Sequence, residues 1–191
     1  YELPAVGSYA LPALGPAADG MVLDTDGQPR RLHDLFGGKH VLLAFMYSSC
    51  SDLNGCPLTA HVFYQLKARM QSDPTLREHL TLISLSFDPA FDTPAVMQRY
   101  ANNFEYAGEQ GRWAFATTAS EQQLRPILAA YNQTVQPQVD PKTGEARGIS
   151  HILRVFLIDP QQRIRNIYSA DFLHEDLILT DFKTLLAHAG V

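Results

Sequence analysis

One short and almost unbroken apolar run, over residues 41–47, constrains the fold of this chain more than any other feature. Residues 41–47 and residues 80–87 are mainly apolar, and a segment with helical periodicity follows the first of them. Runs of this length are typical of strands that are covered on both faces in a parallel sheet. We therefore predict a βαβ unit at the centre of an α/β domain.

Apolar periodicity and turn residues divide the rest of the chain into further elements. A small hairpin around Asp26-Gly27 precedes the first run, and a long loop or exposed hairpin over 133–149 precedes the last strands. The other predicted elements are a helix over 57–71, a helix over about 94–104, a short strand over 112–116, a helix over 120–131, strands over 152–159 and 164–169, and a helix over 174–189. This order, a βαβ half followed by a ββα half, is the thioredoxin arrangement with insertions.

Length and composition indicate a single domain. The chain has 191 residues, of which 46% are hydrophobic, and this is enough for one core. Residues 1–19 are rich in Ala, Gly and Pro and lack sustained periodicity. We predict an extended lead-in or tether over 1–19 and a thioredoxin-like domain over 20–191.

The charge of the chain excludes two classes of partner. The formal net charge is -5, and the Lys and Arg residues are dispersed, so neither nucleic acid nor an anionic membrane surface is an expected partner. No apolar stretch is long enough to span a bilayer. Because the chain opens on Tyr1 and not on Met, we expect membrane contact only through an anchor missing from this sequence.

The two cysteines of the chain lie where the first apolar run gives way to a helix. Cys50 and Cys56 are separated by a loop, and Pro57 fits the first position of the helix. Asn54 and Gly55 supply turn chemistry that can fold Cys50 back toward Cys56. Unpaired N–H groups and the helix dipole favour a thiolate at Cys56, so we expect a lowered pKa for this thiol. Such a pair indicates thiol redox or soft-metal chemistry, against the alternative of two unrelated core thiols.

A series of short motifs along most of the chain resembles the SCO/SenC family of copper proteins. No single motif is specific, but the set in this order is. The motifs are Leu23-Asp24 with Asp26-Gly27, Leu32-His33-Asp34-Leu35, Gly38-Lys39, residues 41–45, Cys56-Pro57, Ser86-Phe87-Asp88-Pro89, Asp92-Thr93-Pro94, Ser150-His151 and residues 156–160.

The resemblance implies a thioredoxin-like fold and a copper site. By position, Cys50, Cys56 and His151 correspond to the copper ligands of the family, and Asp88 resembles its acidic residue near the site, where it would tune the thiols. Two thiolates suit Cu(I), and an added imidazole allows Cu(II) as well. We expect His151 at the start of the strand over 152–159. The cysteines of the family are separated by three residues, whereas five residues separate them here, a departure that bears on ligand geometry.

The resemblance also implies the function. We expect a copper chaperone that assists assembly of a respiratory copper centre, of the CuA type of cytochrome c oxidase or a similar centre. Its partners would be the copper-site subunit of an oxidase or reductase, together with other copper chaperones or thiol reductants. The expected location is the periplasm or another compartment outside the cytoplasm. We do not expect a conventional enzyme, although thiol-disulfide reductase activity on the target's cysteines is compatible with the same residues.

Three alternatives share the thioredoxin-like fold. A thiol-disulfide oxidoreductase would use Cys50 and Cys56 as a redox pair, but proteins of that type carry a proline just before the strand facing the cysteines. No proline occurs between Pro141 and Pro160. A peroxidase of the peroxiredoxin type resembles a Thr-x-x-Cys pattern, and Tyr47 occupies the Thr position. A partner-binding module with an idle disulfide is the third alternative.

Overall fold

The computed structural model of the chain describes residues 2–50, 52–53, 55–105, 112–139, 141–144 and 146–190. The α-helices are Leu32–Phe36 (α1), Cys56–Ser72 (α2), Pro74–His79 (α3), Pro94–Ala101 (α4), Glu121–Ala130 (α5) and Glu175–Ala189 (α6), and short 3-10 helices cover Asn102–Phe104 and Ala170–Phe172. The strands are Gly15–Pro16 (β1), Met21–Asp24 (β2), Pro29–Arg31 (β3), His40–Met46 (β4), Leu80–Ser86 (β5), Arg112–Thr117 (β6), Val135–Val139 (β7), Ala146–His151 (β8), Val155–Ile158 (β9) and Arg163–Tyr168 (β10). Across these ranges, none of the helices is both long and apolar enough to cross a membrane.

Strands from both halves of the chain form one central sheet. Its order is β1-β10-β9-β4-β5-β6-β2-β3, and β7 and β8 form a separate two-stranded sheet. Strands β4, β5 and β6 run parallel, whereas β9 pairs with β4 and β2 pairs with β6 in the antiparallel sense. The predicted α/β class, with a βαβ half followed by a ββα half, is confirmed.

Strand β4 is buried along its whole length because helices cover both of its faces. Its alternate residues Val41, Leu43 and Phe45 belong to a core cluster that includes side chains of α4 and α5. Leu42 and Ala44 belong to a second cluster, which includes side chains of α2 and α6. This division is the physical reason for the unbroken apolar run, since neither face of the strand can be polar.

The segment over 133–149, predicted as a long loop or exposed hairpin, contributes most of an antiparallel hairpin. Strands β7 and β8 pair from Val135 opposite His151 to Val139 opposite Ala146. The prediction of a strand from residue 152 is wrong at its start, because β9 begins only at Val155. Residues 152–154 connect the hairpin to the central sheet and belong to neither β8 nor β9. His151 is consequently the last residue of β8 and not the first residue of an internal strand.

Residues 2–19 are largely extended and are attached to the domain at several points. The Tyr9 hydroxyl donates a hydrogen bond to the buried Asp181 carboxylate in α6. The backbone N–H of Gly7 donates to Thr184 Oγ1 at 3.0 Å, and β1 pairs with β10. The lead-in therefore lies along the surface of the domain, and the division between residues 19 and 20 stays a prediction.

Candidate functional site

The carboxyl end of β4 and the beginning of α2 bring the two cysteines to one edge of the sheet. Cys56 is the first residue of α2 and only 3% exposed, whereas Cys50 is partly buried. Gly55 precedes the helix, and a Cβ atom there would lie 3.3 Å from the Asp52 carbonyl oxygen, so this turn favours glycine. The predicted turn contribution of Asn54 lies outside the described residues.

The predicted site residues Cys50, Cys56 and His151 converge at this edge. Cys56 Sγ lies 3.8 Å from His151 Nε2, and the Cys50 side chain is near enough to Cys56 to raise the pKa of its thiol. Both cysteines are free thiols. Within the described ranges, no group of three or more His, Cys, Asp or Glu side chains is arranged to hold a metal ion, so the ligand set stays a prediction.

The thiol of Cys56 does not have the acidity that its helix position predicts. Burial raises its pKa, and the hydrogen bond and charge of Cys50 raise it further, while backbone hydrogen bonds from Tyr47 and Cys56 itself only partly oppose this. The expectation of a lowered pKa is therefore wrong, because desolvation and a neighbouring thiol outweigh the helix terminus. A soft metal ion would have to displace the thiol proton in order to bind.

Burial also affects the imidazole of His151. It lowers the pKa of the ring, and a hydrogen bond with the Ile149 backbone and the Asp52 charge only partly offset this effect. A lowered pKa favours the neutral imidazole, which keeps one ring nitrogen available as a metal ligand.

Aromatic rings surround the thiols and the imidazole. The Phe87 ring centroid lies 4.7 Å from that of His151, and the Tyr47 ring meets His151 edge-on at 6.1 Å. Burial raises the pKa of Tyr100 to about 12, with further contributions from Cys56, Cys50 and Asp92. The thiols therefore lie in an apolar environment, which limits access of water.

A buried carboxylate holds the start of the cysteine loop, a role that the Asp92-Thr93-Pro94 motif alone did not indicate. Asp92 is fully buried, and its Oδ2 accepts hydrogen bonds from the Ser48 backbone N–H at 3.0 Å and from Ser86 Oγ at 2.6 Å. The Ser48 hydroxyl donates to the other carboxylate oxygen. Ser48 follows β4 and Ser86 ends β5. Polar residues at the ends of two adjacent buried strands are therefore the sequence signal that could have indicated the role of Asp92.

Asp88 lies beside the site rather than within it. Its backbone N–H donates to Ser86 Oγ at 3.0 Å, and it lines a cavity of about 270 Å³ next to α5. Burial raises the pKa of its carboxyl group, as do the charges of Asp92 and Glu121. The role of Asp88 in tuning the thiols stays a prediction.

Known proteins with similar sequences share this fold. Residues 21–187 match the SCO1/SenC family model. The chain is 28% identical over 152 residues to the protein SCO2 homolog, mitochondrial, of Bos taurus, a match that covers 79% of this chain and 53% of the bovine protein. The chain therefore spans about half the length of this curated relative.

Solved structures agree with the family match. The apo Sco1 protein of Thermus thermophilus is similar at a TM-score of 0.73 and 25% identity, covering 96% of this chain and 98% of that one. Bradyrhizobium japonicum ScoI with copper bound has a TM-score of 0.68 at 20% identity, over 86% and 97% of the two chains. BsSco, described with a disulfide switch and as a member of the Sco family of cytochrome c oxidase assembly proteins, has a TM-score of 0.65 at 22% identity, over 95% and 97%. The chain belongs to the SCO1/SenC family and has a thioredoxin-like fold.

Proposed function

We propose that this chain is a copper chaperone that carries one copper ion on Cys50, Cys56 and His151 and assists assembly of a respiratory copper centre. The observation that carries the proposal is the 3.8 Å approach of Cys56 Sγ to His151 Nε2, beside a second thiol. This approach of residues that are far apart in sequence supports a site with two sulfur donors and one nitrogen donor.

The donor set fits both oxidation states of copper. Soft thiolates favour Cu(I), and a neutral imidazole beside them suits Cu(II) as well. Copper is bound in the related Bradyrhizobium japonicum ScoI, which supports copper as the cargo here. The apolar surroundings of the thiols would protect a bound Cu(I) ion from water.

The expected partner is the copper-site subunit of a respiratory oxidase or reductase. BsSco is described as belonging to a family of cytochrome c oxidase assembly proteins, and this supports a target of the CuA type. Other copper chaperones or thiol reductants would load or reduce the site. We place this activity outside the cytoplasm, in the periplasm or an equivalent compartment.

Copper titration of the reduced protein tests the proposal. The parent should bind about one equivalent of Cu(I) in competition with a chromophoric chelator, and Cys50→Ser and Cys56→Ser should abolish binding, because each removes a thiolate. His151→Ala should mainly weaken Cu(II) binding. His61→Ala is the matched control, because His61 is exposed on α2. Unchanged copper stoichiometry in all three site variants would contradict the proposal.

A thiol-disulfide reductase acting on the cysteines of a copper-site target is the second candidate. The proximity of the two free thiols favours it, because neighbouring thiols can form a disulfide. In that reaction a Cys50–Cys56 disulfide forms and the target disulfide breaks, so that two electrons and two protons pass to the target, which becomes a dithiol. His151→Ala separates the two functions, since a reductase should keep its rate on a model disulfide peptide, whereas a chaperone should lose Cu(II).

A further inference from the structure

Tyr47 contacts both the cysteine loop and the hairpin that carries His151. We propose that Tyr47 is a positioning residue whose hydroxyl ties the start of the cysteine loop to the β7/β8 hairpin and so sets the distance between the thiols and His151. This inference rests on the proposed function, because it assigns Tyr47 a role in arranging the same three donors.

The first contact joins the Tyr47 hydroxyl to the hairpin. The backbone N–H of Ile149 donates a hydrogen bond to the hydroxyl oxygen, with the two atoms 3.4 Å apart. A Cβ atom at Gly148 would lie only 3.4 Å from that oxygen, and the φ of Gly148 is +143°, which L side chains rarely adopt. Glycine at this position therefore allows the hairpin backbone to approach the tyrosine closely.

The second contact joins the same residue to the cysteine loop. The Tyr47 carbonyl oxygen accepts a hydrogen bond from the Cys50 backbone N–H at 3.3 Å. Tyr47 therefore contacts the hairpin through its hydroxyl and the loop that carries Cys50 through its backbone.

Packing around Tyr47 limits the positions of its side chain. The ring is only 8% exposed and lies 5.2 Å from the Phe87 ring and 6.1 Å, edge-on, from the His151 ring. Such packing holds the hydroxyl in one position between the two segments.

The tie is needed because the hairpin belongs to a different sheet from the cysteines. Strands β7 and β8 pair with each other, whereas Cys50 and Cys56 follow a strand of the eight-stranded sheet. Outer-shell hydrogen bonds of this kind commonly change metal affinity by 10- to 100-fold when they are removed, so about that range applies here. We expect the larger effect on Cu(II), since this state depends more on His151.

Tyr47→Phe removes only the hydroxyl and tests the tie. In the copper-free protein, hydrogen exchange at the Ile149 amide should become about five- to tenfold faster, because one hydrogen bond is lost. The Cu(II) dissociation constant should rise by about tenfold, with a shift in the sulfur-to-copper charge-transfer band. Tyr131→Phe is the matched control, because its buried hydroxyl donates to the Ala18 carbonyl at 2.9 Å, away from the thiols.

Each result decides the role of Tyr47. Ile149 exchange at the parent rate in Tyr47→Phe would overturn the tie. Faster exchange with an unchanged Cu(II) constant and spectrum would overturn the positioning role, as would equal changes in Tyr131→Phe. If the parent binds no copper, the proposed function fails separately, and Ile149 exchange together with the NMR resonances of the His151 ring still decides whether Tyr47 holds the hairpin.

Discussion

Buried ionisable groups lie at both ends of strand β4, but the surroundings of these groups differ between the two ends. At the amino end, His40 is 5% exposed and packs edge-on against Phe182, with ring centroids 5.3 Å apart. Beside it the buried Asp159 carboxylate contacts Arg163 at 2.8 Å and Arg165 at 2.9 Å. At the carboxyl end, Cys56 and His151 approach each other as neutral groups.

The comparison separates groups that stabilise the fold from groups that remain available to bind copper. Burial lowers the pKa of both His40 and His151, so desolvation alone does not distinguish them. Each ring packs against an aromatic ring and makes a backbone hydrogen bond, with His79 for His40 and with Ile149 for His151. The difference lies in the remaining neighbour, which is the charged Asp159 carboxylate for His40 and Cys56 Sγ, at 3.8 Å, for His151. We therefore expect changes at the amino end to affect stability and changes at the carboxyl end to affect copper.

The largest expected effect on stability is that of Asp159→Ala. The carboxylate holds two arginines and also accepts hydrogen bonds from the backbone N–H groups of Gln161 and Arg163, both at 3.0 Å. Its removal should lower the free energy of unfolding by about 3 kcal/mol, because buried hydrogen bonds are lost and Arg165 loses its charge partner. Urea denaturation measures this loss, and copper binding should not change.

An exposed ion pair provides the control for Asp159. Arg125 lies 3.5 Å from Glu121 on the surface of α5, and both side chains are exposed. Arg125→Ala should cost less than about 0.5 kcal/mol. Equal losses in the two variants, or a loss of copper affinity in Asp159→Ala, would break the distinction between the two ends of β4.

The second largest expected effect is a loss of stability at acidic pH that depends on His40. Burial lowers the pKa of His40 from 6.5 to about 4, with the Asp159 charge opposing this and the His79 and Arg165 charges adding to it. Between about pH 4 and pH 6.5, His40 is therefore protonated more in the unfolded chain than in the folded chain. Stability should be complete above about pH 6.5 and should fall as the pH falls toward 4, by about 2 kcal/mol at pH 5.

His40→Gln removes this titration and sharpens the comparison with His151. The slope of the unfolding free energy against pH, measured by denaturation between pH 4 and pH 8, should be smaller in this variant. His151→Ala should retain most of the slope. A slope in His40→Gln that superimposes on that of the parent would show that the acid sensitivity has another origin.

The smallest expected effect is that of Asp88→Ala. Removal of a nearby negative charge should lower the pKa of the Cys56 thiol slightly, since like charges disfavour the thiolate. The free energy of unfolding should change by less than about 0.5 kcal/mol. Alkylation rates measured against pH should reveal the shift, with Glu121→Gln as the control, and identical profiles for Asp88→Ala and the parent would limit Asp88 to a turn residue.

Local patterns in the sequence predicted the centre of the fold well. The strands predicted over 41–47 and 80–87 correspond to β4 and β5. They could be predicted because a strand that is buried on both faces is mainly apolar. The position of His151 was less predictable, since the pairing of β7 with β8 takes the histidine out of the following strand. A hairpin rich in Pro and Gly carries a weak periodic signal, so its strands could not be delimited.

Features of the site that depend on distant residues could not be predicted. The role of Asp92 needs Ser48 and Ser86, which meet only because β4 and β5 are parallel and in register. The raised pKa of Cys56 depends on how deeply α2 packs, whereas the helix terminus that predicts a lowered pKa is visible in the local sequence. Burial is a property of the whole fold, and its effect on the pKa of the Cys56 thiol exceeds that of the helix terminus.

The separate two-stranded sheet of β7 and β8 has a mechanical consequence. Because these strands pair with each other and not with the eight-stranded sheet, the backbone pairing of the larger sheet does not fix the position of the hairpin. The place of His151 beside Cys56 instead depends on side-chain contacts, including those with Tyr47 and Phe87. Substitution of one of these side chains is therefore expected to move His151 relative to Cys56 and to leave the eight-stranded sheet intact.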